Sequence, residues 1–363
     1  MISSSTFDAF PALVCLGIGH AANDKLNNID WQDVLALAEQ QGLNAIVLDG
    51  IEQIKSLNIQ GVQGPPQDLL LEWIGEVLQD YESMYELYSR TIAEMAHFYN
   101  SHGYKMMVLK GYACSLDWPK PDHRPCGDID IWLFGKQKEA DALLSKEKGI
   151  KIDNSHHHHT VFDWGEFMVE NHYDFINVHH HKSNKEFDKY LKELGSDDSY
   201  YIEVYGEKVY LPSPDLNALF LLKHMMMHFA SEEITLRQLL DWAFFVEKHG
   251  KNVDWTGIID IIERFGMKPA FEIFNAICVE DLGFDSGIFP HVQCGQSLKD
   301  KVMREILSPE FGVELPQEFY RRVLFKLRRW RGSIWKHELC YSESRWSAFW
   351  SGVWNHLLKP SSI

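Results

Sequence analysis

The sequence has few cysteines, and none of them is spaced like a metal-binding or redox pair. Its 363 residues include six cysteines, scattered along the chain without any CxxC spacing. Disulfide-rich secreted domains are cysteine-dense, and zinc and redox sites use closely spaced pairs. We therefore expect reduced thiols and a cytoplasmic location. The cysteines are Cys15, Cys114, Cys126, Cys278, Cys294 and Cys340.

Long apolar runs are also missing. No stretch approaches the ~20 apolar residues that a helix needs to cross a bilayer. The first residues, MISSSTFDAFPALV, have neither the basic start nor the apolar run of a secretion signal. We expect no membrane partner.

Positive charge is scarce, because 35 Lys and Arg face 52 Asp and Glu, a formal net charge of −17. Proteins bind nucleic acids mainly by neutralising phosphates, so this balance argues against a nucleic-acid acceptor. One basic cluster lies near the C-terminus, and we expect it to pair with acidic side chains of the same chain. Its members are Arg321, Arg322, Lys326, Arg328, Arg329, Arg331 and Lys336.

The most informative stretch is VLKGYACSLDWPKPDHRPCGDIDIWLF, residues 108–134. An apolar run ends at Lys110-Gly111, and a second run opens with Asp128 and Asp130, which predicts two strands joined by a crossing. Alternate residues of a strand face the same side, so the two aspartates project together. Adjacent carboxylates repel each other unless a cation lies between them. The pattern indicates a divalent metal site.

Phosphate-binding features accompany these carboxylates. Gly111, just before a predicted helix, would let backbone N–H groups approach a phosphate, and Lys110 would supply positive charge. Arg124 would contact phosphate or pair with a nearby acid. These residues predict a site for a triphosphate and its magnesium ion.

These motifs together resemble the uncharacterised nucleotidyltransferase family of the DNA polymerase β-like superfamily. The resemblance implies an α+β fold, with a small mixed β-sheet core flanked by N-terminal and C-terminal helical regions. It also implies an enzyme that uses Mg²⁺ or Mn²⁺ to move a nucleoside monophosphate from an NTP to an acceptor hydroxyl, releasing pyrophosphate. Tyr112 stands where the superfamily usually has a serine.

A hairpin pattern follows over residues 156–175, with a turn at Asp163-Trp164-Gly165. In the resembled family the second strand carries an acid followed closely by a histidine, and Glu170 and His172 match those positions. The resemblance implies that Glu170 completes a metal-binding, catalytic trio with Asp128 and Asp130. Glu170 would also help to deprotonate the acceptor.

Helical periodicity dominates on either side of this core. We predict a helical N-terminal subdomain at 1–103, a catalytic core at 104–212 and a helical C-terminal domain at 213–363. Within the core, the pattern favours a small mixed sheet with helices on one of its faces.

Histidines form three groups whose roles the sequence leaves open. The runs at 156–159 and 179–181 are contiguous, and a strand would send two of the first four to each face. His224 and His228 share a helical face, and we predict a substrate-facing or hydrogen-bonding role for them and for His172. Arg237 and Asp241 have the same spacing, which predicts a structural salt bridge.

Two alternatives remain. The chain could be a non-catalytic nucleotide-binding or protein-interaction module on the same fold, which Tyr112 motivates. It could also be a histidine-rich metal hydrolase built on residues 156–159 with His224 and His228. The sequence does not indicate the base preference, the oligomeric state, or whether the acceptor is a small molecule or a protein.

Overall fold

The computed structural model describes residues 4–21, 26–179, 181–311 and 317–343. Over these residues the chain is an α+β fold in which helices precede and follow one mixed, six-stranded sheet. The predicted fold class is confirmed. Among the described helices, none combines the length and the apolar character needed to span a membrane.

The N-terminal region is helical, as predicted. Asp30 begins α2 by accepting hydrogen bonds from the backbone N–H groups of Gln32 and Asp33, which satisfies donors that the first helical turn leaves free. The helices of this region are α1 (Ser4–Gly17), α2 (Trp31–Gln41), α3 (Asn44–Ser56), α4 (Gln67–Glu76) and α5 (Met84–Ser101).

A π-helical segment, Val77–Ser83, joins α4 and α5 into one continuous helix. Trp73, before the segment, packs into a hydrophobic core with the N-terminal and C-terminal helices. Tyr88, after it, packs into a second core with the sheet and α7. A π turn takes in an extra residue, which shifts the side chains that follow around the helix axis. The segment therefore lets one helix contribute to two cores.

The sheet has the strand order β3-β4-β2-β1-β6-β5. The β1–β6 and β2–β4 pairs are parallel, and the other neighbouring pairs are antiparallel. The sequence predicted β1 to β4 but not β5 and β6. The strands are β1 (Met107–Val108), β2 (Ile129–Trp132), β3 (His159–Trp164), β4 (Phe167–His172), β5 (Tyr201–Val204) and β6 (Glu207–Tyr210), with helices α6 (Tyr112–Ser115), α7 (Gln137–Lys148) and α8 (Lys182–Gly195) between them.

Helices cover both faces of the sheet, so the prediction of helices on one face is wrong. Met107 and Trp132 belong to the core that α8 and α9 share, whereas Val108 and Ile131 belong to the core that contains α5 and α7. All four residues of β2 are buried. The pattern of β2 is therefore that of a strand covered on both sides.

The region after the sheet is helical, as predicted, and side chains cap the first two of its helices. The Ser213 hydroxyl accepts from Leu216 N and caps α9, and the side chain of Gln238 accepts from the backbone N–H of Thr235 at the start of α10. The division into three domains stays a prediction. The helices are α9 (Pro214–Ser231), α10 (Leu236–His249), α11 (Trp255–Arg264), α12 (Lys268–Ala276), α13 (Gln296–Leu307), α14 (Phe319–Gly332) and α15 (Ile334–Cys340).

The basic C-terminal cluster lies on α14 and α15. Two of its members pair with acids of the same chain: Arg321 with Glu318 at 3.0 Å and Lys336 with Glu305 at 2.9 Å. Within the described residues, pairing inside the chain therefore accounts for part of this positive charge, as expected.

Candidate active site

Two predicted site residues are neighbours across parallel strands. The register pairs Asp130 of β2 with Glu170 of β4. Paired residues of adjacent strands project from the same face of a sheet. On this face the sheet meets helix α9, so Asp130 and Glu170 lie between the sheet and the C-terminal helices.

Asp130 is buried and makes two close polar contacts. Its Oδ1 atom lies 2.7 Å from Lys110 Nζ and 3.0 Å from His172 Nε2. Burial alone would raise the pKa of Asp130, but the Lys110 ammonium and the His172 ring outweigh it and hold the pKa well below its ordinary value. Asp130 is therefore ionised at neutral pH.

Glu170 lies on the other side of His172, with its Oε2 atom 3.5 Å from His172 Nε2. Burial favours the protonated form, but the hydrogen bond from His172 lowers the pKa of Glu170 overall. The ligand atoms of Asp130, Glu170 and His172 all lie within 4.8 Å of one another, a spacing that a metal ion can bridge. His172 is buried beneath both carboxylates.

Asp128 is exposed at the start of β2 and has a different environment. Its pKa is raised by burial of part of the carboxylate and by the charges of Glu170 and Asp130. Asp128 is thus close enough to feel both carboxylates. The metal-sized groups found among the described residues do not include it.

Gly111 packs against the backbone of Asp128 through Tyr88. The Tyr88 hydroxyl donates to the Asp128 carbonyl oxygen at 2.8 Å. A Cβ atom on Gly111 would lie only 2.6 Å from that hydroxyl, and Gly111 has a φ of +53°. Only glycine fits this conformation and this space.

Tyr112 points away from the carboxylates. Its ring is buried and stacks on Tyr85 with the centroids 5.8 Å apart, in the core that contains α5. The residue that replaces the usual serine therefore serves packing.

A cleft of about 210 Å³ opens beside Asp128 and Asp130. The loop at Lys110-Gly111 forms one side of the cleft, and residues of α9 and α10 form the other. Its lining includes Lys110, Gly111, Arg124, Asp128, Asp130, His224, Arg237, Gln238 and Asp241.

Arg124 is buried and pairs with Asp241. Its Nε and Nη2 atoms donate to the two carboxylate oxygens of Asp241 at 2.7 and 2.9 Å, and Trp118 Nε1 donates to the same carboxylate at 2.9 Å. The predicted Arg237–Asp241 salt bridge is wrong, because Asp241 uses both oxygens for Arg124. Pairing with an acid, one of the two roles considered for Arg124, is the observed one.

Arg237 has no counter-ion within the part of the chain that the structure describes. No ion pair or hydrogen bond joins its side chain to another described residue, and its Nε atom is shielded from solvent. Burial and the nearby Arg124 charge lower the pKa of Arg237, although Asp241 opposes them. Cations shielded from solvent are normally paired, and the half-buried Arg237, which lines the cleft, has no such partner among the described residues.

His224 and His228 form a chain of contacts that ends at Lys110. His228 Nε2 lies 3.2 Å from His224 Nε2, which lies 3.1 Å from Lys110 Nζ. Burial, the Lys110 charge and His228 together hold the pKa of His224 well below its ordinary value. His224 is therefore neutral and accepts a hydrogen bond from Lys110. Its substrate-facing role stays a prediction.

From the sequence we expected the four histidines at 156–159 to lie in a strand with two rings on each face. The structure does not show such a strand. Only His159 lies in β3, and the three before it form a bend. His158 and His159 turn toward His172 and form a second metal-sized group with it. The sequence did not distinguish these two histidines from their neighbours, and it did not reveal Tyr88 or the unpaired Arg237.

The profile of the family described as "Uncharacterised nucleotidyltransferase" matches residues 27–283. The chain belongs to this family. Membership supports transfer of a nucleotidyl group as the chemistry and an NTP as the substrate. It agrees with the resemblance that the sequence motifs suggested.

Two further comparisons add little. A search of curated proteins gives no match. Among solved structures, the chain is similar to an antigenic nucleotidyltransferase-like protein from Paracoccidioides brasiliensis, at 13% identity and a TM-score of 0.33. The similarity covers 55% of this chain and 95% of that one.

Proposed function

We propose that this chain uses a divalent metal ion to transfer a nucleoside monophosphate from an NTP to an acceptor hydroxyl, with release of pyrophosphate. One observation carries the proposal: the cleft beside Asp128 and Asp130 is also lined by Arg237, which forms no ion pair with any other described residue. Phosphoryl transfer depends on positioning the reacting groups and on stabilising the charge of the phosphates. Carboxylates that hold a metal ion and a guanidinium that binds phosphate would together supply both.

The carboxylates suit a hard cation such as Mg²⁺ or Mn²⁺. Asp128, Asp130 and Glu170 offer only oxygen ligands, which these ions prefer. The raised pKa of Asp128, caused by burial and then by the Glu170 and Asp130 charges, reflects a crowding of negative charge that a cation would relieve. A bound ion would neutralise charge on the phosphates.

Lys110 and Arg237 would bind the phosphates. An ammonium group has three donors, and two of those of Lys110 are directed to Asp130 and His224. The third has no partner among the residues that the structure describes, and it would donate to a phosphate oxygen in the cleft. Arg237 presents a guanidinium whose planar donors match phosphate geometry. Gly111 would let the backbone approach a phosphate closely.

Glu170 would act on the acceptor. In the proposed step the acceptor oxygen bonds to the α-phosphorus, its proton passes to Glu170, and the bond from the α-phosphorus to the pyrophosphate oxygen breaks. His172 touches both Glu170 and Asp130 and would hold the two carboxylates in position. Its burial favours this orienting role over contact with substrate.

The test is calorimetry with ATP, GTP, CTP and UTP in the presence and absence of Mg²⁺, followed by assays of pyrophosphate release with candidate acceptors. We expect Mg²⁺-dependent binding that Asp128→Asn abolishes. Asp163→Asn is the matched control, because Asp163 is also an exposed aspartate of the sheet region but is not among the residues that line the cleft. Equal nucleotide binding by the wild type and Asp128→Asn would refute the proposal.

A second candidate is a nucleotide-binding module without turnover. The Lys110–Asp130 ion pair favours it, because Lys110 already neutralises one of the carboxylates. Such a module would bind NTP in the same calorimetric experiment. It would release no pyrophosphate with any small-molecule or protein acceptor.

A further inference from the structure

Three imidazole rings meet where the β3–β4 hairpin approaches the active-site carboxylates. His159 of β3 and His172 of β4 are register partners, and His158 precedes β3. The ligand nitrogens of the three rings all lie within 4.8 Å of one another. The ring centroids are 4.3 Å apart for His158 and His159 and 5.3 Å apart for His159 and His172.

Several ring nitrogens of this group have no hydrogen-bond partner among the described residues. His158 Nδ1 and both ring nitrogens of His159 are shielded from solvent and have no hydrogen-bond partner among the described residues. The nearest acid to His159 is Glu170, whose Oε1 atom lies 3.6 Å from Nε2, too far for a good hydrogen bond. Buried polar atoms are nearly always hydrogen-bonded. Three buried nitrogens without partners on two adjacent imidazoles therefore need an explanation.

His172 is oriented as a metal-binding histidine usually is. Its Nδ1 atom lies 3.2 Å from the carbonyl oxygen of Asp174, which accepts a hydrogen bond from it. A ligating histidine usually donates its other ring N–H in this way, and the contact fixes which nitrogen carries the lone pair. In His172 the nitrogen available for a metal is Nε2, which faces the other two rings and the carboxylates and would exchange its proton for the metal ion.

We propose that His158, His159 and His172 bind a transition-metal ion of the zinc class. Three imidazoles leave a fourth position open, a common donor set for Zn²⁺. Mg²⁺ prefers oxygen, so the imidazole site and the carboxylate site select different ions. The carboxylate of Glu170 is close enough to serve as a further ligand or as a hydrogen-bond partner. This site does not depend on nucleotide transfer.

The imidazole site shares His172 with the carboxylate site. A metal ion at the three rings would take the lone pair of His172 Nε2, and the contact of that atom with Asp130 at 3.0 Å would be lost. Metal binding would therefore change the environment of Asp130. The two sites are chemically distinct but physically linked.

The test uses the full chain, purified without a histidine tag and stripped with a chelator. It is titrated with Co²⁺, whose visible absorption reports ligand number and type, and with Zn²⁺ by competition. We expect one ion per chain, and at least about a tenfold loss of affinity in His158→Ala and in His159→Gln. His158 is the primary choice because it lies outside the strand, and His159→Gln keeps most of the buried volume.

Two controls make the result decisive. His157→Ala removes a ring of the same run that contacts His179 and is not a member of the group of three, and it should bind Co²⁺ like the wild type. Asp128→Asn impairs the proposed transfer site alone and should also bind Co²⁺ normally, so the two proposals can fail separately. Absence of tight binding by the wild type, or equal affinities in His157→Ala, His158→Ala and His159→Gln, would overturn the assignment.

Discussion

Lys110 Nζ lies 2.7 Å from Asp130 Oδ1, and the same ammonium lies 3.1 Å from His224 Nε2. One cation thus joins the sheet to helix α9 across the candidate active site. The pKa of Lys110 is raised even though burial opposes this, because Asp130 and Glu170 stabilise its charge. The ion pair is therefore part of both the fold and the site.

Replacing Lys110 by methionine should destabilise the protein. Without Lys110, the buried Asp130 carboxylate would still bear the cost of desolvation but would lose its ion-pair partner. The hydrogen bond from His172 would offset this loss only in part. We expect the free energy of unfolding to fall by about 2–3 kcal/mol in urea at pH 7. Lys138→Met, at an exposed position of α7, is the control. Equal stabilities of the two variants would contradict the importance of the pair.

Substitution of Arg237 and substitution of Arg124, which both line the cleft, should differ in their effect on stability. Arg237→Ala removes a guanidinium without a counter-ion, so we expect little loss of stability but at least about a tenfold loss of NTP affinity, or 1.4 kcal/mol. Arg237→Lys should restore part of the affinity through its charge. Calorimetry with ATP and Mg²⁺ measures the binding, and thermal unfolding measures the stability.

Arg124→Ala should instead strongly lower the stability of the protein. It leaves the buried Asp241 carboxylate without its bidentate partner, which typically costs about 3–5 kcal/mol. The comparison is informative because both arginines line the same cleft. If Arg237→Ala were the more destabilised of the two, Arg237 would have a structural partner and its proposed phosphate contact would be refuted.

Substitutions at Gly111 should act through Tyr88 and Asp128. In Gly111→Ala the new methyl group would meet the Tyr88 hydroxyl at 2.6 Å and the backbone would be strained, so we expect a loss of stability and of NTP binding. Tyr88→Phe removes the clashing oxygen and also its hydrogen bond to Asp128, at a cost of about 1–2 kcal/mol. The variant that carries both substitutions should lose less stability than the sum of the losses in the two single variants. Additive losses would show that Tyr88 does not cause the effect.

Lys223 gives a prediction about pH. It is buried beside the Tyr341 ring at 4.3 Å and the Phe187 ring at 5.3 Å, and burial lowers its pKa to about 8, although Cys340 and Glu343 oppose this. In the unfolded chain Lys223 keeps its proton up to its ordinary pKa of 10.5. Between these values the unfolded state binds more protons, so the free energy of unfolding should rise with pH, by about 3 kcal/mol in all.

Lys223→Met isolates this effect. The variant should be more stable than the wild type at pH 7, because the buried charge is gone. The difference between the two should shrink as the pH rises from 8 to 10.5. Chemical unfolding of both proteins at several pH values measures it, and a constant difference would contradict the lowered pKa.

Local signals in the sequence predicted much of the fold. Asp30 is the N-cap of α2, and Gly149, with a φ of +68°, ends α7. These features depend on a few adjacent residues, so they can be read without tertiary structure. Strands β5 and β6 were missed because each has four residues and only partial burial, which weakens the alternation of polar and apolar residues.

The chemistry of the cleft was harder to predict. Arg237 and Asp241 have helical spacing, yet Asp241 pairs with Arg124, which is 117 residues away in sequence. A bidentate contact in a buried setting outweighs a weak pair along a helix. The order of motifs indicated Asp130 and Glu170 as partners, and their register pairing brings them together. Only the packed structure distinguishes a paired arginine from an unpaired one.

The π-helical segment between α4 and α5 makes the length of this helix as important as its composition. Deleting a single residue between Val77 and Ser83 would rotate everything that follows by about 100° about the helix axis. Trp73 could keep its position only if Tyr88 turned away from the Asp128 carbonyl. A change more than forty residues before the aspartates in sequence would thus disturb the backbone that carries them, without altering any side chain in the cleft.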